Sequence, residues 1–154
     1  MQEIKVIDIM RHGPLIISPE KTITDAAKLM KEIDSGVLLV GTHPEKIVGI
    51  ITDRDITLRV TAEDRDASAT LVEDAMTKEL QTCDGEANVQ DAAEQMYDHN
   101  IRRLVVITKN RAAGIVTLAE LLRNQGNFRI SEKVLHSLLG IRKSHHTHAE
   151  VNAA

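Results

Sequence analysis

Charged and hydroxyl side chains gather at one junction in the sequence, directly after an apolar run. The run "GIIT" ends at Thr52, and Asp53, Arg54 and Asp55 follow at once, where a helix is expected to start. Carboxylates and hydroxyls at such a place can hold a polar ligand, and free backbone N–H groups at a helix start favour a phosphate. Acidic residues are also favoured in the first turn of a solvated helix that binds nothing. The local pattern alone favours this second interpretation.

An internal repeat indicates where this junction lies in the fold. "VIDIM", from Val6, recurs as "VEDAM" from Val72, and "TDAAKLM", from Thr24, recurs as "QDAAEQM" from Gln90; both are displaced by 66 residues. "VGIIT" then recurs as "AGIVT" at a displacement of 65 residues. Such self-similarity is the mark of a duplicated structural unit. The junction is therefore one of a pair, "GIITDRDI" and "GIVTLAEL".

Both copies predict the same order of elements. A short strand ("LIIS" or "LQTC") leads to a helix, two apolar strands follow across a turn, and a second short helix ("DRDITLRV" or "LAELLRN") ends the unit. Thr22 with Asp25, and Asn88 with Asp91, are expected to cap the two long helices. The apolar positions of those helices have the spacing of one buried face: Ile23, Ala26, Ala27, Met30 and Ile33 in the first copy, and Val89, Ala92, Ala93 and Met96 in the second.

The repeat predicts the α/β (α+β) fold class, with two tandem β-α-β-β-α units packed sheet to sheet under pseudo-two-fold symmetry. One unit of this size buries too little surface to be stable alone, whereas two units share a core. The expected boundaries are residues 1–67 for the first unit, 68–125 for the second, and 126–154 for a C-terminal helix and a disordered tail. That helix is expected to begin after Ser131 and to end at Gly140.

Composition argues against several classes of partner. The chain has 154 residues, 42% of them hydrophobic and 27% charged, and a formal charge of −4, which gives no general attraction to nucleic acid or anionic lipid. One tyrosine and one phenylalanine offer almost no stacking surface for bases. With no long apolar segment and no signal-peptide pattern, the prediction is a cytoplasmic protein without membrane contact.

Cysteine and histidine usage predicts no metal site and no disulfide. Cys83 is the only cysteine, so it has no partner for an internal disulfide, and it is expected to be small, half-buried and unreactive. His145, His146 and His148 form a short tract, but no acidic or cysteine side chain stands at a regular ligand spacing from them. The tract is assigned to the disordered tail.

The order of the elements, the "VxDxM" leading segments and the two junctions resemble a tandem pair of CBS domains, often called a Bateman module. The resemblance covers about residues 4–125. It implies a module that binds adenosine-containing ligands in clefts between the two copies: AMP, ADP or ATP first, with NAD and S-adenosylmethionine in the same class. It also implies a homodimer and no required metal. The junction threonine and the acid three residues later would hold the ribose.

Carried onto this chain, the resemblance assigns two clefts of unequal strength. The main cleft has a ribose site, backbone groups beside the adenine, and an arginine pair near the phosphates: Thr52 and Asp55, Leu80 and Gln81, Arg102 and Arg103. The second cleft has the corresponding residues beside the base and at the ribose: Leu15, Ile16 and Ile17, then Thr117 and Glu120. Glu120 carries one methylene more than an aspartate, and Gly36 and Val37 replace the arginine pair. The second cleft is therefore expected to bind weakly or stay empty.

The combined prediction is a regulatory module that senses an adenosine nucleotide and transmits the signal to an unidentified target protein. It is not expected to be an enzyme, since no nucleophile–base pair, metal-ligand set or glycine-rich phosphate loop has a recognisable spacing. The alternative is a scaffold of the same fold that binds no ligand and acts through protein–protein contacts. The degenerate second cleft and the C-terminal apolar helix favour that alternative.

Overall fold

Two small sheets, covered by helices, form the body of the protein. The computed structural model describes residues 3–124 and 130–138. None of the helices in this part of the chain is long and apolar enough to cross a membrane. The elements of the first half are α1 (Val6–Ile9), β1 (Arg11–His12), β2 (Ile16–Ile17), α2 (Ile23–Glu32), β3 (Val37–Gly41), β4 (Ile47–Thr52) and α3 (Asp53–Ile56), which continues as a π-helical turn at Thr57–Thr61.

Within the described residues, the second half repeats this order without a counterpart of β1 and adds one helix after it. Its elements are α4 (Val72–Ala75), β5 (Thr82–Asp84), α5 (Val89–Asp98), β6 (Arg103–Thr108), β7 (Arg111–Thr117), α6 (Leu118–Asn124) and α7 (Glu132–Leu138). The first sheet has the order β2-β3-β4 and the second the order β1-β7-β6-β5. β2 runs parallel to β3, and β5 runs parallel to β6. The hairpin that follows in each sheet, β3–β4 or β6–β7, is antiparallel. The predicted fold of two β-α-β-β-α units is confirmed.

The leading segments of the two copies are exchanged between the units. The segment that contains α1 and β1 lies on the second unit: the N–H of Val6 donates to the Ala87 carbonyl at 2.9 Å, and β1 pairs antiparallel with β7. The segment that contains α4 lies on the first unit, where the N–H of Val72 donates to the Lys21 carbonyl at 2.8 Å. Each unit is therefore completed by residues that precede the other, while the boundary at residue 67 stays a prediction.

Apolar side chains form three clusters: two lie between a sheet and its helices, and one lies between the two sheets. The first cluster packs α2 on the first sheet and includes Val72 and Ala75 of the exchanged segment. The second packs α5 and α6 on the second sheet and includes Val6 and Met10. The third joins the two sheets to each other, with four buried residues at its centre: Leu39, Val105, Ala112 and Ile115. The two units thus share one continuous interior, as the sequence predicts.

The two long helices differ from the prediction in local detail. Thr22 and Asp25 form the expected capping box of α2. The prediction of a corresponding box in the second copy is wrong. Asn88 is the N-cap of α5, but its side chain accepts the N–H of Gln90, at 2.8 Å, instead of that of Asp91. Ala27 is exposed and does not belong to the buried face of α2, whereas its counterpart Ala93 is fully buried. The helix α5 has α7 as an additional neighbour.

Two further elements were predicted incompletely. The second helix of the first copy is α-helical for one turn only, and then the N–H of Ala62 donates to Thr57 and that of Arg65 to Val60, the spacing of a π-helix. The C-terminal helix begins after Ser131, as predicted, and its buried Val134 packs in the second cluster. Gly140 and the predicted histidine tail lie outside the described residues.

Candidate functional site

Among residues 3–124 and 130–138, cavities lined by both halves of the chain include a main, a second and a central cleft. The main cleft, of about 110 Å³, lies beside the start of β5 and the middle of β4. The second cleft, of about 240 Å³, lies beside β1 and the end of β7. The central cleft, of about 390 Å³, shares Arg103 with the main cleft and Arg11, Ser35, Val37 and Thr117 with the second. The central cleft thus shares lining residues with both predicted ligand clefts.

The main cleft brings together part of the predicted set. Leu80, Gln81 and Arg103 line it together with Ile50 of β4. Thr52 lies two residues beyond Ile50 on the same strand, so the two side chains project from the same face. The carbonyl of Gln81 accepts the N–H of Val105 at 3.0 Å, which leaves this backbone oxygen one remaining lone pair.

The junction at the end of β4 is a capping box. The Thr52 hydroxyl accepts the N–H of Asp55 at 3.1 Å, and the Asp55 carboxylate accepts the N–H of Thr52 at 3.0 Å. The other carboxylate oxygen lies 3.5 Å from Nη2 of Arg59, and the Asp55 side chain is 14% exposed. The cap that sequence reasoning preferred as a local explanation is present. A ribose contact at Asp55 stays a prediction.

The expected phosphate site at the N-terminus of α3 is not supported. The N–H of Asp53 donates to the Gly36 carbonyl at 3.0 Å, and the N–H of Arg54 donates to the Asp53 carboxylate at 2.8 Å. The N–H of Asp55 is occupied by Thr52, as described above. The first-turn donors of this one-turn helix therefore already have acceptors, so the charge for a phosphate has to come from side chains.

Thr117, which lines the second cleft, is hydrogen-bonded to a more enclosed acid, Glu120. Glu120 is 5% exposed, and one of its oxygens accepts the N–H of Thr117 at 2.9 Å and the Thr117 hydroxyl. The other oxygen accepts Nε of Arg11 at 3.0 Å and Nη1 of Arg123 at 3.1 Å. The additional methylene lets the carboxylate reach both its own junction and two guanidinium groups, which Asp55 does not do.

The titration behaviour of Glu120 follows from these contacts. Burial alone raises the pKa of the Glu120 carboxyl, but hydrogen bonds from Thr117 and Arg11 favour the charged form and more than offset it. The net result is a pKa below the ordinary value, so Glu120 is ionised at neutral pH. Cys83 shows the opposite balance: burial, then the charge of Asp84, raises the pKa of its thiol to about 11, in keeping with the prediction of a half-buried, unreactive cysteine.

The central cleft concentrates positive charge. Arg102 and Arg103 line it from the second unit, and Arg11 lines it from β1. One carboxylate, that of Asp53, lines the same cleft and packs over Gly36, where a Cβ would lie 2.6 Å from its Oδ2. The predicted arginine pair is thus brought to a cavity that both ligand clefts share. Planar guanidinium groups in such a place suit phosphate oxygens.

Arg11 is the residue that sequence reasoning missed. It supplies a cation to the second cleft from the leading segment, whereas the prediction considered only Gly36 and Val37 in the positions of the arginine pair. The signal was present in the repeat, because Arg11 stands 66 residues before Thr77 and is the charged member of that pair. That pair does not reveal the exchange of leading segments, which is what brings Arg11 to Glu120.

The residues predicted beside the base of the second cleft separate in the structure. Leu15 lines the second cleft and is 43% exposed. Ile17 is buried in the first cluster, and together with Ile16 it lines a groove on the outer side of α2. Ile16 also packs against the cluster between the sheets. Of the three, the structure brings the side chain of Leu15 alone to the cleft.

The sequence matches one protein family and several individual proteins. The CBS domain model matches residues 6–61 and again residues 72–127. CBS domain-containing protein YhcV of Bacillus subtilis is 39% identical over 120 residues, which is 78% of this chain and 84% of that protein.

Two solved structures are similar in fold. The CBS domain pair of protein MJ0100, in complex with 5′-methylthioadenosine and S-adenosyl-L-methionine, has a TM-score of 0.73 and 28% identity, over 82% of this chain and 98% of that one. Hypoxic Response Protein I, with two coordinated zinc ions, has a TM-score of 0.68 and 31% identity, over 78% of this chain and 98% of that one. Within residues 3–124 and 130–138, no group of three or more histidine, cysteine or acidic side chains could hold a metal. With two matched domains in one chain, this protein belongs to the CBS domain family.

Proposed function

We propose that this protein is a regulatory module that binds an adenosine nucleotide in the clefts between its two CBS units. The observation that carries the proposal is a cavity lined by three arginines, Arg11, Arg102 and Arg103, which shares lining residues with a cleft on each side. Thr117 lines two of these cavities, whereas Thr52, Asp55 and Glu120 line none of the three and lie at the strand-to-helix junctions. The acids suit ribose hydroxyls and the arginines suit phosphates. The adenosine compounds bound by the MJ0100 pair support the same ligand class.

The proposal assigns roles to the residues of the main cleft. Asp55 would exchange its 3.5 Å ion pair with Arg59 for ribose hydroxyls, since that oxygen accepts the weaker contact. Leu80 and Gln81 would contact the base, and Arg102 and Arg103 would reach the phosphates from the central cleft. The cavity of about 110 Å³ is small for an adenosine, so binding would require the main cleft to open.

Binding is tested first by thermal unfolding in the presence of AMP, ADP, ATP, NAD and S-adenosylmethionine. A ligand that binds the folded state alone stabilises it by about 2.7 kcal/mol at a free concentration a hundredfold above Kd. This stabilisation raises the melting temperature. One of these compounds is expected to raise it, and Asp55→Ala is expected to remove most of the rise. Glu120→Ala is expected to change it little if the main cleft is the stronger one.

Asp25→Ala is the matched control, because it removes the acid of another capping box. Asp25 accepts the N–H of Thr22 at 3.2 Å, as Asp55 does at its own junction, but Asp25 lies on the outer side of α2. Both variants should lose similar stability, and only Asp55→Ala should lose ligand response. Equal responses in the two variants would leave Asp55 with a capping role. No response to any compound in the unaltered protein would favour the scaffold alternative.

Signalling requires a second state or a partner, because a ligand shifts an equilibrium only by its difference in affinity for two states. We therefore also propose that the protein forms a homodimer, acts on an unidentified target protein and lies in the cytoplasm. The ligand is then an effector and not a substrate. Light scattering with and without the ligand found by the screen measures the assembly and its response.

A further inference from the structure

Arg11 belongs to two cavities at once. Its backbone is fixed, because β1 pairs with β7 and places Arg11 opposite Ile115. Its side chain is 54% exposed and lines both the second cleft and the central cleft. A long side chain with an anchored backbone and an exposed head can change partners without movement of the fold.

Glu120 has no free acceptor position of good geometry for a new hydrogen-bond donor. One oxygen accepts two bonds from Thr117, and the other accepts Arg11 and Arg123. A ribose at this acid must therefore displace a donor. Either guanidinium can leave while the other still pairs with the buried carboxylate, whereas the Thr117 bonds belong to the junction itself. Of the two, Arg11 lines the second and central clefts and Arg123 lines neither, so a ligand there displaces Arg11.

The displaced guanidinium of Arg11 can move favourably into the central cleft when an anion is bound there. The central cleft is also lined by Arg102 and Arg103, with Asp53 as the acid that lines it, so movement of the Arg11 head group from Glu120 toward them is opposed by charge repulsion when no anion is present. A phosphate in that cavity makes the movement of Arg11 favourable, because it accepts hydrogen bonds from Arg11 and lowers the repulsion among the arginines.

We propose that Arg11 makes the second cleft selective for adenosine ligands that carry a phosphate over the uncharged nucleoside, because Arg11 exchanges Glu120 for the phosphate when such a ligand binds. The inference rests on the proposed function and adds a ligand class to its second cleft. An uncharged nucleoside displaces Arg11 without compensation, whereas AMP provides both the ribose for Glu120 and the phosphate for Arg11.

The test compares AMP and adenosine by calorimetric titration in two proteins, Asp55→Ala, which removes the proposed ribose acid of the main cleft, and the double variant that adds Arg11→Ala. Arg11→Ala is expected to weaken AMP about tenfold, the loss of one charge-assisted hydrogen bond. It is expected to leave adenosine unchanged or to strengthen it a few-fold, since Glu120 is then already released from Arg11. Arg11→Lys, which keeps the charge but loses the planar fork, should give an intermediate AMP affinity and covers the case in which the alanine variant folds poorly.

Three results would overturn the inference. Equal weakening of AMP and adenosine would assign Arg11 a general role in the shape of the cleft, and unchanged AMP affinity would assign it none. AMP binding by the unaltered protein with none in Asp55→Ala would show that the second cleft is not a ligand site. Failure of the unaltered protein to bind AMP or adenosine would instead contradict the proposed function for these ligands.

Discussion

Gly114→Ala tests whether the exchanged leading segment is held by the close approach of two backbones. A Cβ at Gly114 would fall well inside van der Waals contact of the Arg11 carbonyl oxygen, and 3.0 Å from the Arg11 carbonyl carbon. Both atoms belong to the backbone of β1, so no side-chain rotation relieves the overlap, and β1 must separate from β7. The bond from the Gly13 N–H to the Ala113 carbonyl, 3.1 Å long, would be lost with it.

The expected cost follows from the bonds that β1 makes. Loss of roughly two or three backbone hydrogen bonds at about 1 kcal/mol each gives about 2–3 kcal/mol. For a domain of this size that corresponds to a fall in Tm of roughly 4–12 °C. Urea unfolding, followed by circular dichroism, measures the free energy of unfolding, and a thermal scan measures Tm.

Gly36→Ala is the matched control for Gly114→Ala. A Cβ at Gly36 would also be too close to a neighbour, at 2.6 Å, but that neighbour is the carboxylate of Asp53, an exposed side chain that can rotate. Its cost should stay below about 1 kcal/mol. Equal costs for the two variants, or a negligible cost for Gly114→Ala, would refute the argument that β1 is fixed by backbone contact.

Two other measurements address Glu120 and the C-terminal helix. Because the pKa of Glu120 is lowered in the folded state, its contribution to stability is present above the unfolded value near 4.5 and is lost as the pH falls through the lower folded value. Urea unfolding between about pH 6 and about pH 3 should therefore show a smaller acid-induced loss in Glu120→Gln than in the unaltered protein. Val134→Ala, at a side chain that is 4% exposed, should cost about 1–2 kcal/mol, and Leu135→Ala, at a half-buried position, should cost less.

The repeat and its periodicity predicted most of the fold. The spacing of apolar residues is a local property, and it located both long helices and both hairpins. At the second hairpin, Lys109 and Asn110 adopt the positive φ values of 50° and 60° that a two-residue turn requires. The C-terminal helix was located from Ser131 in the same way.

What the sequence did not predict depends on contacts between distant segments. The strand β1 has two residues, too few for a periodic pattern, and it exists because β7 provides a partner. The place of Arg11 beside Glu120 follows from that pairing, so it was missed as well. The N–H groups of α3 were expected to be free, but the Gly36 carbonyl and the Asp53 and Thr52 side chains occupy them, which a helix-start pattern does not reveal.

The exchange of leading segments has a consequence for synthesis of the chain on the ribosome. The first cluster is incomplete until Val72 and Ala75 have emerged, and β1 has no strand to pair with until Ile115 has emerged. The first cluster can therefore form before the second unit has been made, whereas α1 and β1 wait for partners that emerge much later. Long-range pairing of this kind slows folding, because a large loop must close before its contacts form. The nascent protein is expected to complete the second and central clefts, which residues of β1 and β7 line together, only after β7 has emerged.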